Sequence, residues 1–276
     1  MPADDKNTAE TLPAAEAAAG APRPGDTYVQ SFARGLQVIR SFSAAAPQQT
    51  LSEVAQRTGL TRAGARRILL TLEGLGYVRC SGRQFSLTPR ILDLGFAYLS
   101  SLPLWNLAEP VMERLVEEIK ESCSAAVLDG PDVVYVLRVP THKIMSINLG
   151  IGSRLPAYCT SMGRTLLAEL DSRSFDALMR EYPPQRRTAR TIIDVALLKK
   201  ELAKVRQQGW CIVDQELEEG LVSLSAPIRD RAGNAIAAMN ISGQVNRTSP
   251  AYMVEHFLPR LRAAAGEISQ MLQRKS

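Results

Sequence analysis

One stretch constrains the rest of the chain: residues 50 to 87, TLSEVAQRTGLTRAGARRILLTLEGLGYVRCSGRQFSL. Its spacing predicts a short helix, a tight turn, a second helix and a two-stranded wing. Thr50 is placed to cap the first helix and Glu53, three residues on, to reach back to the cap, which makes a capping box. Leu51, Val54 and Ala55 form the buried side of that helix, and Gly59 supplies the permissive backbone that ends it. Thr61 caps the second helix, in which Ala65, Ile68, Leu69, Leu72 and Gly76 recur at three-to-four spacing and share one face. Ala63, Arg66, Arg67 and Gly74 fall on the opposite face. A small, cationic face is what a helix needs to lie in a major groove and put guanidinium forks on phosphates or guanine edges. An ordinary helical hairpin with solvated arginines accounts for the basic helix equally well by itself. The helix-turn-helix spacing followed at once by a strand pair favours DNA binding. The expected DNA contacts are Thr61, Arg62, Ala63, Arg66, Arg67, Arg79 and Arg83, with Arg66 and Arg67 leading and Arg62, Arg79 and Arg83 on phosphates. Leu70, apolar yet near the exposed side, either meets a thymine methyl or packs on the wing.

The placement of charge points the same way. Between Tyr28 and Leu102 there are nine arginines, no lysine and three acids, a net +6, whereas residues 1 to 26 carry −3 and the remainder +2 of the overall +5. Positive charge concentrated on the helix-turn-helix segment is the signature of a module for a polyanion, here double-stranded DNA. Residues 1 to 26 are rich in Ala, Pro and acids and lack the basic start and apolar stretch of a signal peptide, so they read as a disordered tail. No apolar run reaches the length of a membrane span, and a cytoplasmic protein without membrane contact is expected. Cys80, Cys123, Cys159 and Cys211 lie far apart with no CxxC pair, which argues against both zinc and a disulfide framework. No cofactor is expected. At 276 residues the chain is long enough for two domains with a core each.

Ahead of the motif, YVQSFARGLQVIRSFS places Phe32, Leu36, Ile39 and Phe42 at helical spacing, a scaffold helix. Behind the wing, Thr88 and Pro89 read as a cap and first position opening the helix RILDLGFAYLSS. Its apolar residues, including Leu92, Leu94, Phe96 and Tyr98, lie on more than one face. Such a helix has more to bury than one small domain covers, so pairing with a second subunit is expected, as in dimers that read two half-sites.

Beyond Pro103 helices and strands alternate. Ala108 to Glu121 is an amphipathic helix; CSAAVLDGPDVVYVLRV is a strand, a turn and a strand, and KIMSINL a third strand. After a loop at Gly150 to Ser153 comes a helix capped by Thr160 or Ser161. Helices follow at Ser174 to Glu181 and Val195 to Gln207, then the strands WCIVD, GLVSLSAPIRD and NAIAAMNIS, and a last helix from Pro250 to Gln273. The fold class is α+β. The expected layout is a tail at 1–26, a winged helix-turn-helix DNA-binding domain at 27–88, a linker helix at 89–102 and a sensor-like domain at 103–276.

Within that last domain the segment Ala157 to Arg164 is the best ligand site on physical grounds. Cys159, Thr160, Ser161 and Gly163 surround a helix start, whose free N–H groups and dipole favour a carboxylate, and Arg154 just upstream can add a charge-assisted bond. On spacing alone, a plain capped helix beside a surface arginine explains the segment slightly better. An enzyme is not expected. The two histidines, His142 and His256, sit in unrelated contexts, and no nucleophile elbow, phosphate loop or metal spacing is present. The acids Asp214, Glu216, Glu218 and Glu219 beside a turn read as a solvated surface.

The motifs ARRILLTLEGLGYV, LTPRILDLGFAYL, DGPDVVYVLRV, GSRLPAYCTSMGRTLLA and GWCIVDQELEEGLVSLSAPIRD together resemble the isocitrate-lyase-regulator (IclR) family of bacterial transcription factors. Within it they are similar to the branch that controls aromatic-acid (β-ketoadipate pathway) catabolism. The resemblance implies an N-terminal winged helix-turn-helix domain, a linker helix and a C-terminal GAF-like effector-binding domain, assembled as a homodimer or a dimer of dimers. It also implies an effector such as protocatechuate, 4-hydroxybenzoate or another small aromatic or dicarboxylic acid. By motif position it assigns effector binding to Ser161, Met162, Asp214, Ser223, Asn240 and Ser242, with Asp214 suited to ligand hydroxyls. Tyr158 and Met162 either cover an aromatic ring or fill the core. Differential affinity of the acid for two subunit arrangements would then shift operator occupancy or contacts with RNA polymerase.

Overall fold

The computed structural model describes residues 28–101, 104–141 and 149–275, which fall into two compact units divided between Leu94 and Gly95, inside the linker helix. In the first, α1 (Gln30–Ser41) leads through β1 (Gln48–Thr50) to α2 (Leu51–Thr58) and α3 (Arg62–Gly74), then to β2 (Val78–Ser81) and β3 (Gln84–Leu87). The capping box forms: Thr50 N donates to Glu53 Oε2 at 2.6 Å and Glu53 N to Thr50 Oγ1 at 3.4 Å. Gly59 ends α2 at φ +64°, and Thr61 caps α3 by accepting from Gly64 N. Gly76 is not part of the buried helical face. It follows α3 at φ +81°, with Tyr77 N donating to Leu72 O and Gly76 N to Glu73 O, the bond pair of a Schellman ending.

Three further expectations are corrected here. The wing has three strands rather than two, in the order β1-β3-β2, because Gln48–Thr50 pairs antiparallel with Gln84–Ser86. The core of this unit takes Val38 from α1, whereas Phe32 and Leu36 stand 67% and 42% exposed. Thr88 does not cap the next helix with its side chain; its hydroxyl donates to Gly76 O. A 3-10 turn at Pro89–Ile91 then leads into α4 (Leu92–Ser101).

The second unit contains α5 (Leu104–Ile119), β4 (Ser122–Asp129), β5 (Asp132–Val139), β6 (Arg154–Pro156), α6 (Ser161–Leu167), α7 (Ser172–Glu181) and α8 (Val195–Gln208). It continues with β7 (Cys211–Asp214), β8 (Leu221–Arg229), β9 (Ala235–Gln244), α9 (Pro250–Tyr252), a π-helical turn at Met253–Phe257 and α10 (Leu258–Lys275). The strands form one antiparallel sheet, β6-β5-β4-β9-β8-β7. The strand expected at KIMSINL lies outside the described residues except for Leu149.

Alternation along the strands sends side chains to opposite faces. Cys123, Ala125, Leu224, Met239 and Ile241 pack against α5 and α10, while Ala126, Val133, Tyr135, Val213 and Ala238 share a second core with residues of α6 and α8 such as Met162, Leu166, Leu198 and Leu202. The expected effector residues Met162, Ser223, Asn240 and Ser242 lie on this second face.

Candidate functional site

In the N-terminal unit α3 presents Thr61, Arg62, Ala63, Arg66, Arg67 and Leu70 to solvent, and Arg79 and Arg83 are exposed on the wing. Leu70 is 43% exposed, so it is not packed away under the wing. The wing is fixed to the helix by Glu73, whose Oε1 accepts from Cys80 N at 3.3 Å, and Gly82 makes the hairpin turn at φ +64°. Arg79 Nε donates to Ser86 Oγ along the wing surface at 3.1 Å. Beside this face an apolar groove of about 850 Å³ runs between α1 and α3, lined by Phe32, Leu36, Ile68 and Leu75 and edged by Arg34 and Arg67.

In the second unit the strand register assembles a polar floor. Arg138 of β5 lies opposite Ser124 of β4, Ser124 opposite Asn240 of β9, and Asn240 opposite Ser225 of β8. Two residues along, Ser122, Ser242, Ser223 and Val213 form a parallel row. Ser161 Oγ at the start of α6 bonds Ser223 Oγ at 2.7 Å. Asn240 Nδ2 donates to Ser223 Oγ and Ser242 Oγ at 2.9 Å each, and its Oδ1 accepts from Ser124 N at 3.2 Å. A register shift between Ala125 and Ala126 makes Val136 a bulge residue. Tyr135 therefore faces the same side as Arg138 although three positions away; bulges commonly re-aim a side chain in this way. Burial pushes the Tyr135 hydroxyl up to about 12, the nearby Arg138 partly opposing it.

Over this floor lies a cavity of about 30 Å³, the room of a single water. Of the expected effector residues it is lined by Cys159, Thr160, Ser161, Met162, Ser223, Asn240 and Ser242, to which the structure adds Tyr135, Arg138, Leu149, Leu155, Val213, Leu217 and Leu221. Burial raises the Cys159 thiol to about 11, against the opposing pull of Arg187 and Arg164, so it lines the cavity as a neutral group.

Three expected residues stand elsewhere. Arg154 projects from β6 onto Asp129 and Asp132, at 2.7 and 3.1 Å, and borders a separate cleft. Asp214 is ion-paired with Arg190. Tyr158 donates its hydroxyl to Gln185 O and accepts from Gln185 N, which makes it a fastener for the chain before Thr188 rather than a ring cover. Nor does Thr160 cap α6 with its side chain: its hydroxyl donates back to Pro156 O at 3.0 Å. Gly163 is required there, since a Cβ would sit 2.2 Å from Ala157 O.

Glu216 is not part of a solvated acidic surface. It is buried and takes both guanidinium nitrogens of Arg164, at 2.6 and 2.5 Å, while accepting from Ile192 N at 3.0 Å. Arg164 Nε donates to Tyr158 O, so the pair ties the helix that bears Ser161 to the turn that bears Leu217. Among the described residues no group of three or more His, Cys, Asp or Glu is placed to hold a metal, and no helix is long and apolar enough to cross a membrane.

A winged helix-turn-helix with an arginine-bearing helix, in one chain with a sheet that encloses a polar-floored cavity, defines a one-component DNA-binding sensor. Residues 31–81 match the IclR helix-turn-helix domain and residues 96–270 the C-terminal domain of bacterial transcriptional regulators of the IclR type. The chain belongs to the IclR family and is a transcriptional regulator rather than an enzyme. It is 42% identical to the Pca regulon regulatory protein of Pseudomonas putida over 89% of this chain and 84% of that protein. A transcriptional regulator structure from Rhodococcus sp. RHA1 is 50% identical, with a TM-score of 0.81 over 89% of this chain and 98% of that one. An IclR homologue from Microbacterium hydrocarbonoxydans, solved in complex with 4-hydroxybenzoate, is 26% identical with a TM-score of 0.80 over 89% of this chain and all of that one, 100%.

Proposed function

We propose that this regulator changes its operator binding, or its contacts with RNA polymerase, when a small aromatic acid occupies the cavity over the sheet. The observation that carries the reading is the lining itself: a polar floor of Ser161, Ser223, Asn240 and Ser242 with Arg138 at one side, closed by Leu149, Leu155, Met162, Leu217 and Leu221. Such walls suit a ring with polar substituents, and the 4-hydroxybenzoate complex of the Microbacterium homologue supports an aromatic acid. Because the cavity has room for about one water, an acid enters by parting these side chains, so occupancy and shape are coupled.

In this reading the protein acts in the cytoplasm as a dimer or dimer of dimers. The exposed Leu92, Leu94 and Phe96 of α4 supply an apolar face for a second copy, and two α3 helices then enter successive major grooves. A fluorescence anisotropy titration on the upstream intergenic DNA of its own gene, with and without 4-hydroxybenzoate and protocatechuate, tests the proposal. Salt-sensitive, sequence-specific binding shifted by one acid is the expected result. Specific binding indifferent to every acid overturns the effector assignment.

A further inference from the structure

We propose that Leu70 selects a thymine in the operator, its side chain meeting the C5-methyl group on the floor of the major groove. The inference rests on the reading of α3 as the helix that enters that groove, and adds to it a base contact made without a hydrogen bond.

Leu70 occupies the middle of the exposed face of α3. At 3.6 residues per turn it lies two turns after Ala63, nearly in line with it, and about one turn before Gly74. Arg66 and Arg67, one turn earlier, flank this line on either side. All five residues are exposed, whereas Ala65, Leu69 and Leu72 behind them are buried. The line is therefore an apolar stripe between two guanidinium groups, with Leu70 as its one long side chain. Gly74 leaves space beside it that the protein itself does not use, since a Cβ there would meet nothing within 4 Å.

Other exposed apolar side chains of this unit share a different address. Val29, Phe32, Leu36, Leu75 and Leu94 line the groove between α1 and α3. Leu70 is not one of its walls, and it is not covered by the wing. What it faces is set by the arginines beside it. Guanidinium groups on phosphates or guanine edges hold the helix in the groove and aim the residue between them at the base edges. Those edges present donors and acceptors, and their apolar feature is the thymine methyl. A leucine pressed against a donor or acceptor strips its water and returns no bond, which is costly. Against a methyl, both apolar surfaces leave water together, which is favourable.

The test removes the methyl and leaves the hydrogen-bonding groups of the base in place. Wild-type full-length protein selects its preferred duplex from a random pool, and each thymine is then replaced in turn by deoxyuridine for anisotropy titration. One thymine of each half-site should weaken binding about three- to five-fold when replaced. Leu70→Ala should bind the parent duplex more weakly by a similar factor and be indifferent to deoxyuridine at that position, while Arg66→Ala stays sensitive to it. Because Leu70 is exposed, the variant should fold normally, as circular dichroism checks. Leu70→Gln is the second variant, and selection with it should no longer return thymine there. Wild type indifferent to every replacement overturns the proposal. So does a Leu70→Ala protein that keeps the full sensitivity, since the methyl then acts through the shape of the DNA, and so does Leu70→Gln returning the same thymine. If wild type selects no sequence at all, the reading of α3 as the recognition helix falls, and the role of Leu70 with it.

Discussion

Arg164 and Glu216 meet through two parallel bonds, at 2.6 and 2.5 Å, with side chains only 3% and 9% exposed. Removing one partner leaves a buried charge with no counterion, which costs about 3–5 kcal/mol. Arg164→Met should therefore lower the urea midpoint of the C-terminal unit strongly. The double variant Arg164→Met, Glu216→Leu should recover most of the loss, since the pair itself is worth little over apolar residues of its size. A double variant as unstable as the single one would show that the bonds to Tyr158 O and Ile192 N, not the pairing, are what matters.

Gly163→Ala should destabilise the same unit by about 1–3 kcal/mol or more, because the new methyl lands 2.2 Å from Ala157 O and 2.3 Å from Ala157 Cα. Backbone must move to make room, and it is the backbone that carries Cys159 to Met162. The response to effector should be lost while operator binding in its absence persists, as read by anisotropy.

On the DNA side, Arg66→Ala should cost ~1–3 kcal/mol on the cognate operator and relax preference at one base position. Arg79→Ala should weaken every sequence alike and reduce the salt slope by about 1. Competition titrations against single-base operator variants separate the two behaviours.

The cysteines should divide sharply in their reactivity. Burial raises Cys123 far above the usual thiol range, Cys159 to about 11 and Cys211 to about 12, whereas Cys80 is exposed on the wing. Since the thiolate is the reactive form, a disulfide reagent at neutral pH should modify Cys80 promptly in the native protein, and all four thiols only in denaturant. Rapid native labelling of Cys159 would mean that the cavity opens readily to solvent.

Glu53 is held below the ordinary carboxylate range by the backbone N–H and then the hydroxyl of Thr50. A depressed folded pKa adds stability that is present above the unfolded value of about 4.5 and is lost as pH falls through the folded one. Glu53→Gln should flatten the acid side of the stability curve of the N-terminal unit in chemical denaturation across that window. An unchanged acid slope would place the sensitivity elsewhere.

What was legible in the sequence follows from how local each signal is. Thr50 with Glu53, Gly59, and Thr61 with Gly64 act within four residues, so helix ends are written in the chain beside them. The third wing strand is not, because Gln48–Thr50 is defined only by its pairing with residues some 36 positions later. In the effector unit, family resemblance and a helix start located Cys159 to Met162, Ser223, Asn240 and Ser242. Arg154 and Asp214 looked equally suitable by charge, yet each has a partner of opposite sign brought in from a distant segment, Asp129 and Asp132 for one and Arg190 for the other. Arg138 was hidden by the bulge at Val136: plain alternation would put it on the opposite face from Tyr135. Glu216 was hidden because an acid in an acidic run looks solvated until Arg164 is folded against it.

The alternation of the sheet has a consequence for descent as well as for folding. Along β9 the cavity-lining residues Asn240 and Ser242, and along β4 Ser124 beside Asn240, are interleaved with Cys123, Met239 and Ile241, which pack under α5 and α10. Cavity lining and core packing are thus assigned to alternate letters of the same words. An exchange at Asn240 or Ser242 changes the chemistry of the cavity wall without disturbing the packing on the far side, so differently lined cavities are reachable one substitution at a time from an already foldable ancestor.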